Sequence, residues 1–95
     1  MRGEMLMVFV YDISGNRARR RVAAVLEDRA ARVQKSVFEA RMSRAQADKL
    51  ASRAAAHLDL GDSLRVYAVG EAGLSRSRVW GNGAPIEPKA GYWIA

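Results

Sequence analysis

The sequence predicts an α+β domain, a ferredoxin-like βαββαβ sandwich in which two helices cover one face of a four-stranded sheet. Two observations predict it. Segments with strand-like and helical periodicity follow one another in the order strand, helix, strand, strand, helix, strand. The length, 95 residues, suits one domain near the small end for a self-sufficient core. We therefore expect a single domain over residues 1–95, with a second copy of the chain completing its surface.

The first predicted strand, residues 5–11 (MLMVFVY), is apolar at every position. A strand of this kind is covered on both faces. Because both helices of this layout lie on the same face of the sheet, the other face is bare in a single copy. We expect a second copy, related by a two-fold axis, to cover it and form a homodimer.

Residues 12–16 have the composition of a turn, in which Asn16 or Ser14 is expected to cap the next helix. That helix is predicted over residues 17–30. Its apolar positions recur at helical spacing and face the sheet, whereas three basic positions face away. The apolar set is Val22, Val25, Leu26 and Ala30, and the basic set is Arg17, Arg20 and Arg21. Arg19 lies at the edge of the apolar stripe, within reach of the strand end.

Residues 32–41 predict two short strands with a bend near residues 36–39. The capping-box pattern from Ser43 to Gln46 then begins a helix that Gly61 is expected to end. Its sheet-facing side comprises Ala47, Leu50, Ala51, Ala54 and Leu58. A last strand is predicted over residues 62–69.

The C-terminal part of the chain, about residues 70–95, is predicted to be a loop-rich tail that packs on the partner or exchanges with it. Residues 70–91 contain five glycines and both prolines, which disfavour long regular elements. Short strands are expected at residues 78–80 and 92–94, the second of them as the additional C-terminal strand.

Composition excludes several classes of function. The chain has no cysteine, so disulfides, thiolate metal sites and cysteine nucleophiles are absent. No segment has the ~20 apolar residues that span a bilayer, and the start of the chain does not resemble a signal peptide, so we expect a cytoplasmic protein without membrane contact. The net charge is +6, and thirteen of the sixteen basic residues are arginines, which favours nucleic acid as a partner. Solvation of the surface is the alternative explanation.

Asp12 is the candidate catalytic and metal-binding residue. It stands where an apolar strand ends and a helix begins, a position where free helix amides favour phosphate. Mg²⁺ often uses one or two carboxylates together with water and substrate phosphate, so two copies of Asp12 near a two-fold axis are expected to share one ion. The structural alternative is that Asp12 forms an Asx turn or caps the helix.

Five arginines cluster near Asp12 in the predicted fold and are candidates for contacts with a phosphate backbone. They are Arg17, Arg19, Arg20, Arg21 and Arg32. The alternative is that Arg19 or Arg32 forms a structural ion pair with Asp12 or Glu27.

Four further side chains receive structural roles. The lone histidine, His57, is interpreted as a structural or surface residue. The aromatic residues of the tail are expected to pack against a surface and not to stack on bases. They are Trp80, Tyr92 and Trp93.

Four segments together resemble the CRISPR-associated protein two family, in order and at the family's spacing. They are residues 11–14 (YDIS), 19–22 (RRRV, through its first, third and fourth positions), 32–39 (RVQKSVFE) and 62–67 (DSLRVY). The resemblance covers about residues 5–69. The combination of the second-strand segment with the YDIS turn is far more specific than any one motif.

The resemblance implies a ferredoxin-like homodimer of the spacer-acquisition machinery. Asp12 from both protomers would bind a divalent metal, Mg²⁺ or Mn²⁺, for endonuclease cleavage of RNA or double-stranded DNA. The dimer would also bridge two dimers of the CRISPR integrase. Family positions thought to act with the aspartate match Tyr11, Arg19, Arg21, Arg32, Ser36 and Phe38, and Ser14 of the YDIS turn is expected to help shape the site.

Other functions fit parts of the pattern. A non-catalytic architectural dimer would use the same basic surface without cleavage, and a stand-alone toxin-like ribonuclease would act without an integrase. An RNA-binding module of the same layout would carry an aromatic run that this sequence lacks. A small regulatory ligand-binding domain would show no salt-dependent affinity for nucleic acid.

Overall fold

The computed structural model describes residues 3–83 and residue 86 of the chain. Within them the first six elements follow the predicted order strand, helix, strand, strand, helix, strand. The elements are β1 (Glu4–Asp12), α1 (Asn16–Leu26), β2 (Ala31–Gln34), β3 (Val37–Ser43), α2 (Arg44–Ala55), β4 (Ser63–Val69) and a short α3 (Glu71–Ser75).

The four strands form one antiparallel sheet in the order β2-β3-β1-β4. β1 is central, and its residue Phe9 lies opposite Phe38 on one side and Val66 on the other. This is the strand order of the split βαβ layout. The predicted ferredoxin-like α+β fold is therefore confirmed.

The core lies between the helices and one face of the sheet. Alternate residues of a strand point to opposite faces, and Met7, Phe9 and Tyr11 of β1 point to the helix side, where each is at least nine-tenths buried. Phe38 and Leu26 are fully buried beside them, from β3 and α1. One continuous apolar cluster thus joins β1, β3 and both long helices.

The opposite side of the sheet, which we call the free face, carries the other residues of β1. These are Leu6, Val8, Val10 and Asp12. Leu6 is buried, Val8 and Val10 are half-buried, and Asp12 is exposed. On the neighbouring β4, Tyr67 opposes Val8 and is 48% exposed. The free face is therefore apolar along β1 and ends in a carboxylate.

Both long helices end earlier than expected. α1 ends at Leu26, and a hydrogen-bonded turn follows in which the Ala30 N–H donates to the Leu26 carbonyl at 2.8 Å. α2 ends at Ala55, before Gly61, which lies in the next turn at φ +90°. In each case the last residues that continue the apolar helical pattern belong to the turn that leads into the next strand.

The two predicted helix caps have different outcomes. The capping box of α2 is confirmed, since the Ser43 hydroxyl accepts from the Gln46 N–H at 3.1 Å and the Gln46 side chain accepts from the Ser43 N–H at 2.9 Å. The predicted cap of α1 by Asn16 or Ser14 is wrong. The N-cap residue is Gly15, which has no side chain to cap with.

The start of the predicted tail is partly helical. Residues 71–75 form α3, which the sequence analysis missed, and residues 78–80 are not a strand. α3 follows β4 closely: a Cβ at Gly73 would lie 3.1 Å from a methyl carbon of Val69. The strand predicted at residues 92–94 lies outside the described residues, and exchange of the tail with a partner stays a prediction.

No helix in residues 3–83 is long and apolar enough to cross a membrane.

Removal of the α2 cap tests how far local sequence signals stabilise the fold. In Ser43→Ala the N-terminal amides of α2 lose their side-chain acceptor, and we expect the free energy of unfolding to fall by about 1 kcal/mol. Urea denaturation measures this. Ser75→Ala is the control, because its hydroxyl bonds only to the Ala72 carbonyl of the short α3. An equal loss in both variants would contradict a specific role for the cap.

Candidate nucleic-acid interface

Four segments meet at one end of the sheet. β1 ends there at Asp12, β4 begins beside it with Ser63 opposite Asp12, α1 begins after a three-residue loop, and the β2–β3 turn at residues 35–36 lies on the other side of β1. The predicted site residues of β1, α1 and the turn are therefore brought to the same end of the molecule.

The carboxylate of Asp12 is exposed and makes no hydrogen bond or ion pair with any residue of the described part of the chain. The structural alternative, in which Asp12 forms an Asx turn or caps α1, is not what the structure contains. Asp12 occupies the same face of β1 as Val8 and Val10. Its carboxylate is thus available at the edge of the free face.

The N-terminus of α1 has features that attract anions. Its N-cap is Gly15 without a side-chain cap, and the first turn has no acidic residue. The first amides of a helix lack intrahelical acceptors and carry partial positive charge. This end of α1 therefore adds to the positive potential close to Asp12.

Arg19 holds the loop between β1 and α1. One of its terminal nitrogens donates to the carbonyls of Ile13 (3.1 Å) and Ser14 (3.3 Å), and the other donates to the Asn16 side chain. It forms no ion pair with Asp12, so that structural alternative is wrong for Arg19. Most of its donors are used inside the protein, which makes loop positioning its principal role in the structure.

The other three arginines of α1 are exposed and occupy one face of the helix. Arg17, Arg20 and Arg21 are spaced three and four residues apart, which places them side by side. None of them has an acidic partner among the described residues. This face is the strongest candidate for sequence-independent contact with phosphate.

The β2–β3 turn is fastened to β1 by Tyr11. Its N–H donates to the Ser36 carbonyl at 3.0 Å, and its hydroxyl donates to the Lys35 carbonyl at 3.1 Å. Its ring lies 6.3 Å from that of Phe38, centroid to centroid. Tyr11 is 96% buried, so it positions the turn beside Asp12 and does not itself face solvent.

Arg32 fastens the same turn from the side of β2. It donates to the Lys35 carbonyl at 2.6 Å, and its guanidinium carbon lies 4.9 Å from the centroid of Phe38, a cation–π contact. It also forms an ion pair with Glu27 at 3.7 Å. The structural alternative is therefore correct for Arg32, whose charge is shared with Glu27 before any ligand binds.

The sequence analysis missed a structural carboxylate at this end, Asp62. Its two oxygens accept from the N–H groups of Ser14 at 3.3 Å and Asp59 at 2.8 Å, so it ties the loop after β1 to the loop before β4. Ser14 contributes its backbone to this contact. An aspartate just before a strand and after a glycine was the available signal for such a loop closure.

The remaining candidates take no part in this end of the molecule. His57 is half-buried after α2 and its side chain bonds to none of the described residues, which fits a structural role. Trp80 is 83% exposed in the protomer, so its packing against a surface, which the tail was expected to find on a partner, stays a prediction. Tyr92 and Trp93 lie outside the described residues.

No group of three or more histidine, aspartate or glutamate side chains that could hold a metal occurs within residues 3–83.

The family model described as CRISPR associated protein Cas2 matches residues 5–77. The chain belongs to this family. A curated relative from Synechocystis sp., named CRISPR-associated endoribonuclease Cas2 3, is 34% identical over 84 residues, which are 87% of this chain and 91% of the relative. A Mycobacterium tuberculosis relative with the name CRISPR-associated endoribonuclease Cas2 is 37% identical over 70% of this chain. The match spans 59% of that relative's length.

Solved structures share the fold over most of the chain. Streptococcus pyogenes Cas2 superposes with a TM-score of 0.68 at 30% identity, over 81% of this chain and all of the other. A hypothetical protein from Thermus thermophilus, TT1823, superposes with a TM-score of 0.76 at 37% identity, over 90% of this chain and all of the other. The residues that form the end of the sheet described above all lie within the matched family segment.

Removal of the Tyr11 hydroxyl tests how the turn is held. In Tyr11→Phe the bond to the Lys35 carbonyl is lost while the ring remains in the core, and we expect stability to fall by about 1 kcal/mol. Urea denaturation measures this loss. The matched control is Tyr67→Phe, because Tyr67 is exposed and its hydroxyl accepts, among the described residues, from Arg65 at 3.2 Å. A larger loss in the control would contradict the proposed fastening role.

Proposed function

We propose that this Cas2-family protein acts in CRISPR spacer acquisition as a dimeric, metal-dependent endonuclease on RNA or double-stranded DNA. One observation carries the proposal. Asp12 has an exposed carboxylate without a partner among the described residues, at the edge of an apolar sheet face and next to the uncapped, arginine-rich start of α1. The endoribonuclease name of the Synechocystis relative favours RNA as the first substrate to test.

Dimerisation through the free face is the first part of the proposal. Val8 and Val10 are only half-buried there, and Tyr67 beside them is 48% exposed. A two-fold axis near the end of β1 would bury these side chains and place two copies of Asp12 near one another. Burial of Val8, Val10 and Tyr67 would then stabilise a dimer in which the two copies of Asp12 lie near one another.

The residues fit Mg²⁺ or Mn²⁺ only in such a dimer. One protomer offers the exposed carboxylate of Asp12, whereas two protomers offer two copies of it, and the remaining positions suit water and phosphate oxygens. When bound, the ion would stabilise charge on the phosphate and activate water. Hard oxygen donors and the lack of cysteine favour these metals over thiophilic ones.

The protein's own residues would bind and orient the substrate. Arg17, Arg20 and Arg21 lie on one exposed face and would hold the backbone, and the N-terminal amides of α1 would attract a phosphate. Arg19 keeps the intervening loop in shape. Tyr11, Ser36 and Phe38 would shape the site by holding the β2–β3 turn, and Arg32 would help position the nucleic-acid backbone.

A non-catalytic, architectural role is the second candidate. The lack of a three-ligand cluster within residues 3–83 favours it, because a single shared ion held by two carboxylates binds weakly without substrate. In both cases we propose that the dimer bridges two dimers of the CRISPR integrase. The two candidates differ in whether Asp12 is needed for a chemical step.

Asp12→Asn separates the two candidates. With purified dimer, RNA or duplex DNA and Mg²⁺ or Mn²⁺, we expect the substitution to lower the cleavage rate by about a hundredfold or more, because it removes a metal ligand. Binding of the same substrate in EDTA, measured by fluorescence anisotropy, should be unchanged or slightly tighter, since a negative charge is removed.

The control is Asp48→Asn, at an exposed position of α2. Cleavage that persists at the wild-type rate in Asp12→Asn would reject the nuclease. Binding without cleavage in the wild type would support the architectural role.

The dimer is tested by charging the free face. In Val8→Glu a side chain ending in a carboxylate replaces an isopropyl group at the proposed interface, and we expect sedimentation analysis to show a monomer where the wild type is a dimer. Ala24→Glu, on the exposed side of α1, is the control and should remain dimeric. Equal behaviour of the two variants would exclude the free face as the interface.

A further inference from the structure

A groove of about 490 Å³ lies between α1 and the edge strand β2, on the helix side of the sheet. Tyr11 and Ala23 line its inner wall. Its charged residues are Arg19 and Arg20 of α1, Glu27 just after that helix, and Arg32 and Lys35 of β2 and its turn. The groove is much larger than a phosphate group and is open to solvent. It lies on the opposite side of the sheet from the free face, so dimerisation there leaves it accessible.

The guanidinium of Arg32 is held as a flat platform in this groove. Its central carbon lies over the ring of Phe38, 4.9 Å from the ring centroid, and its terminal nitrogens are held by the Lys35 carbonyl and by Glu27. The side chain is nevertheless 42% exposed. The face turned away from Phe38 is therefore available to a planar ligand, and a guanidinium stacks well on nucleobases.

Charge is distributed unevenly along the groove. Arg20 and Lys35 have exposed side chains without hydrogen-bond or ion-pair partners in residues 3–83, and they suit a phosphate. Glu27, the C-cap residue of α1, lies seven residues after Arg20, about two helical turns or ~10 Å along the helix axis. Its carboxylate is 55% exposed and its ion pair with Arg32 is loose, so it can accept hydrogen bonds from a ligand.

We propose that this groove binds one unpaired nucleotide at the end of a nucleic-acid strand. The base stacks on Arg32, the phosphate lies between Arg20 and Lys35, and Glu27 accepts from an amino group on the edge of the base. Cytosine presents such a donor at N4, and thymine presents an acceptor in the same position. This inference rests on the proposed nucleic-acid function and adds to it a preference for duplexes with single-stranded ends.

The test compares three fluorescent DNA duplexes in EDTA: a blunt one, and the same duplex with a short single-stranded tail ending in either cytidine or thymidine. Anisotropy titrations give the Kd values. We expect the cytidine tail to tighten binding about fivefold or more over the blunt duplex, the scale of one stacked base. The thymidine tail should give a smaller gain.

Variants then assign the effect to the groove. Arg32→Lys keeps the charge but removes the flat stacking surface, and should abolish the advantage of the tail. Glu27→Gln should reduce the preference for cytidine over thymidine. The matched control is Arg53→Lys, since Arg53 also forms an exposed ion pair, with Asp28 at 3.3 Å, and it should leave both effects unchanged.

A second variant in the groove gives a test that does not depend on the stability of Arg32→Lys. If Arg32→Lys proves unstable in urea, Lys35→Ala, at an exposed turn position, should reduce the advantage of the tail without loss of fold. Deoxycytidine monophosphate serves as competitor and should weaken tailed binding only at high concentration, because it lacks the attached duplex. If it binds as tightly as the tailed duplex, the groove is a site for free nucleotides and the strand-end assignment is wrong.

The outcomes separate this inference from the proposed function. Equal affinity of the wild type for blunt and tailed duplexes would overturn the groove assignment and leave nucleic-acid binding intact. An advantage of the tail that survives Arg32→Lys and Lys35→Ala would also overturn it. If the wild type binds none of the three DNA duplexes, and also does not bind an RNA duplex with the same single-stranded tail, the proposed function is rejected as well.

Discussion

The two-sided apolar character of β1 is the constraint on which the rest of the structure depends. One set of alternate residues, with Phe9 at its centre, forms the core with both helices. The other set, from Leu6 to Asp12, forms the free face. Because the side-chain period of a strand is two, the residue that ends the apolar run on the free face is Asp12. The packing of β1 against the helices thus determines that the Asp12 carboxylate lies on the free face.

The end of the sheet is held by a small number of polar contacts around the main chain of the β2–β3 turn. The Lys35 carbonyl accepts from both Tyr11 and Arg32, and the Ser36 carbonyl accepts from the Tyr11 amide. On the other side of β1, Asp62 ties the loop before β4 to Ser14. These contacts give the family motif residues a shared physical role, which is to fix the surroundings of Asp12.

The order of elements and the core could be predicted because both follow from the periodicity of the hydrophobic residues. Packing in the folded protein agrees with that periodicity. The sequence analysis missed α3, whose five residues are too few to show a period, and it placed the ends of α1 and α2 too late. The α1 cap failed for a different reason: Gly15 takes the N-cap position, and the Asn16 side chain accepts from Arg19. The ends of helices and the turns between elements depend on how the packed elements are joined in space more than on local sequence preference.

Sequence patterns identified the candidate site residues. They did not indicate which of these residues are exposed to solvent and which hold the neighbouring backbone in place. Arg17, Arg20 and Arg21 share helical spacing and are exposed together, as predicted. Arg19 and Arg32 belong to the same motif set, yet their guanidinium groups are occupied by backbone carbonyls and by Glu27. Such contacts depend on the distance between α1 and β2, which a linear pattern does not contain.

The central claim is that two copies of Asp12 face one another across the free face. The chain has no cysteine, so Asp12→Cys carries a single nitroxide spin label per protomer. Double electron–electron resonance and continuous-wave spectra then report the distance between the two labels in the dimer. The account predicts a short distance with strong dipolar broadening, which Val10→Asp in the same chain removes. Labels that are far apart in an intact dimer would contradict it.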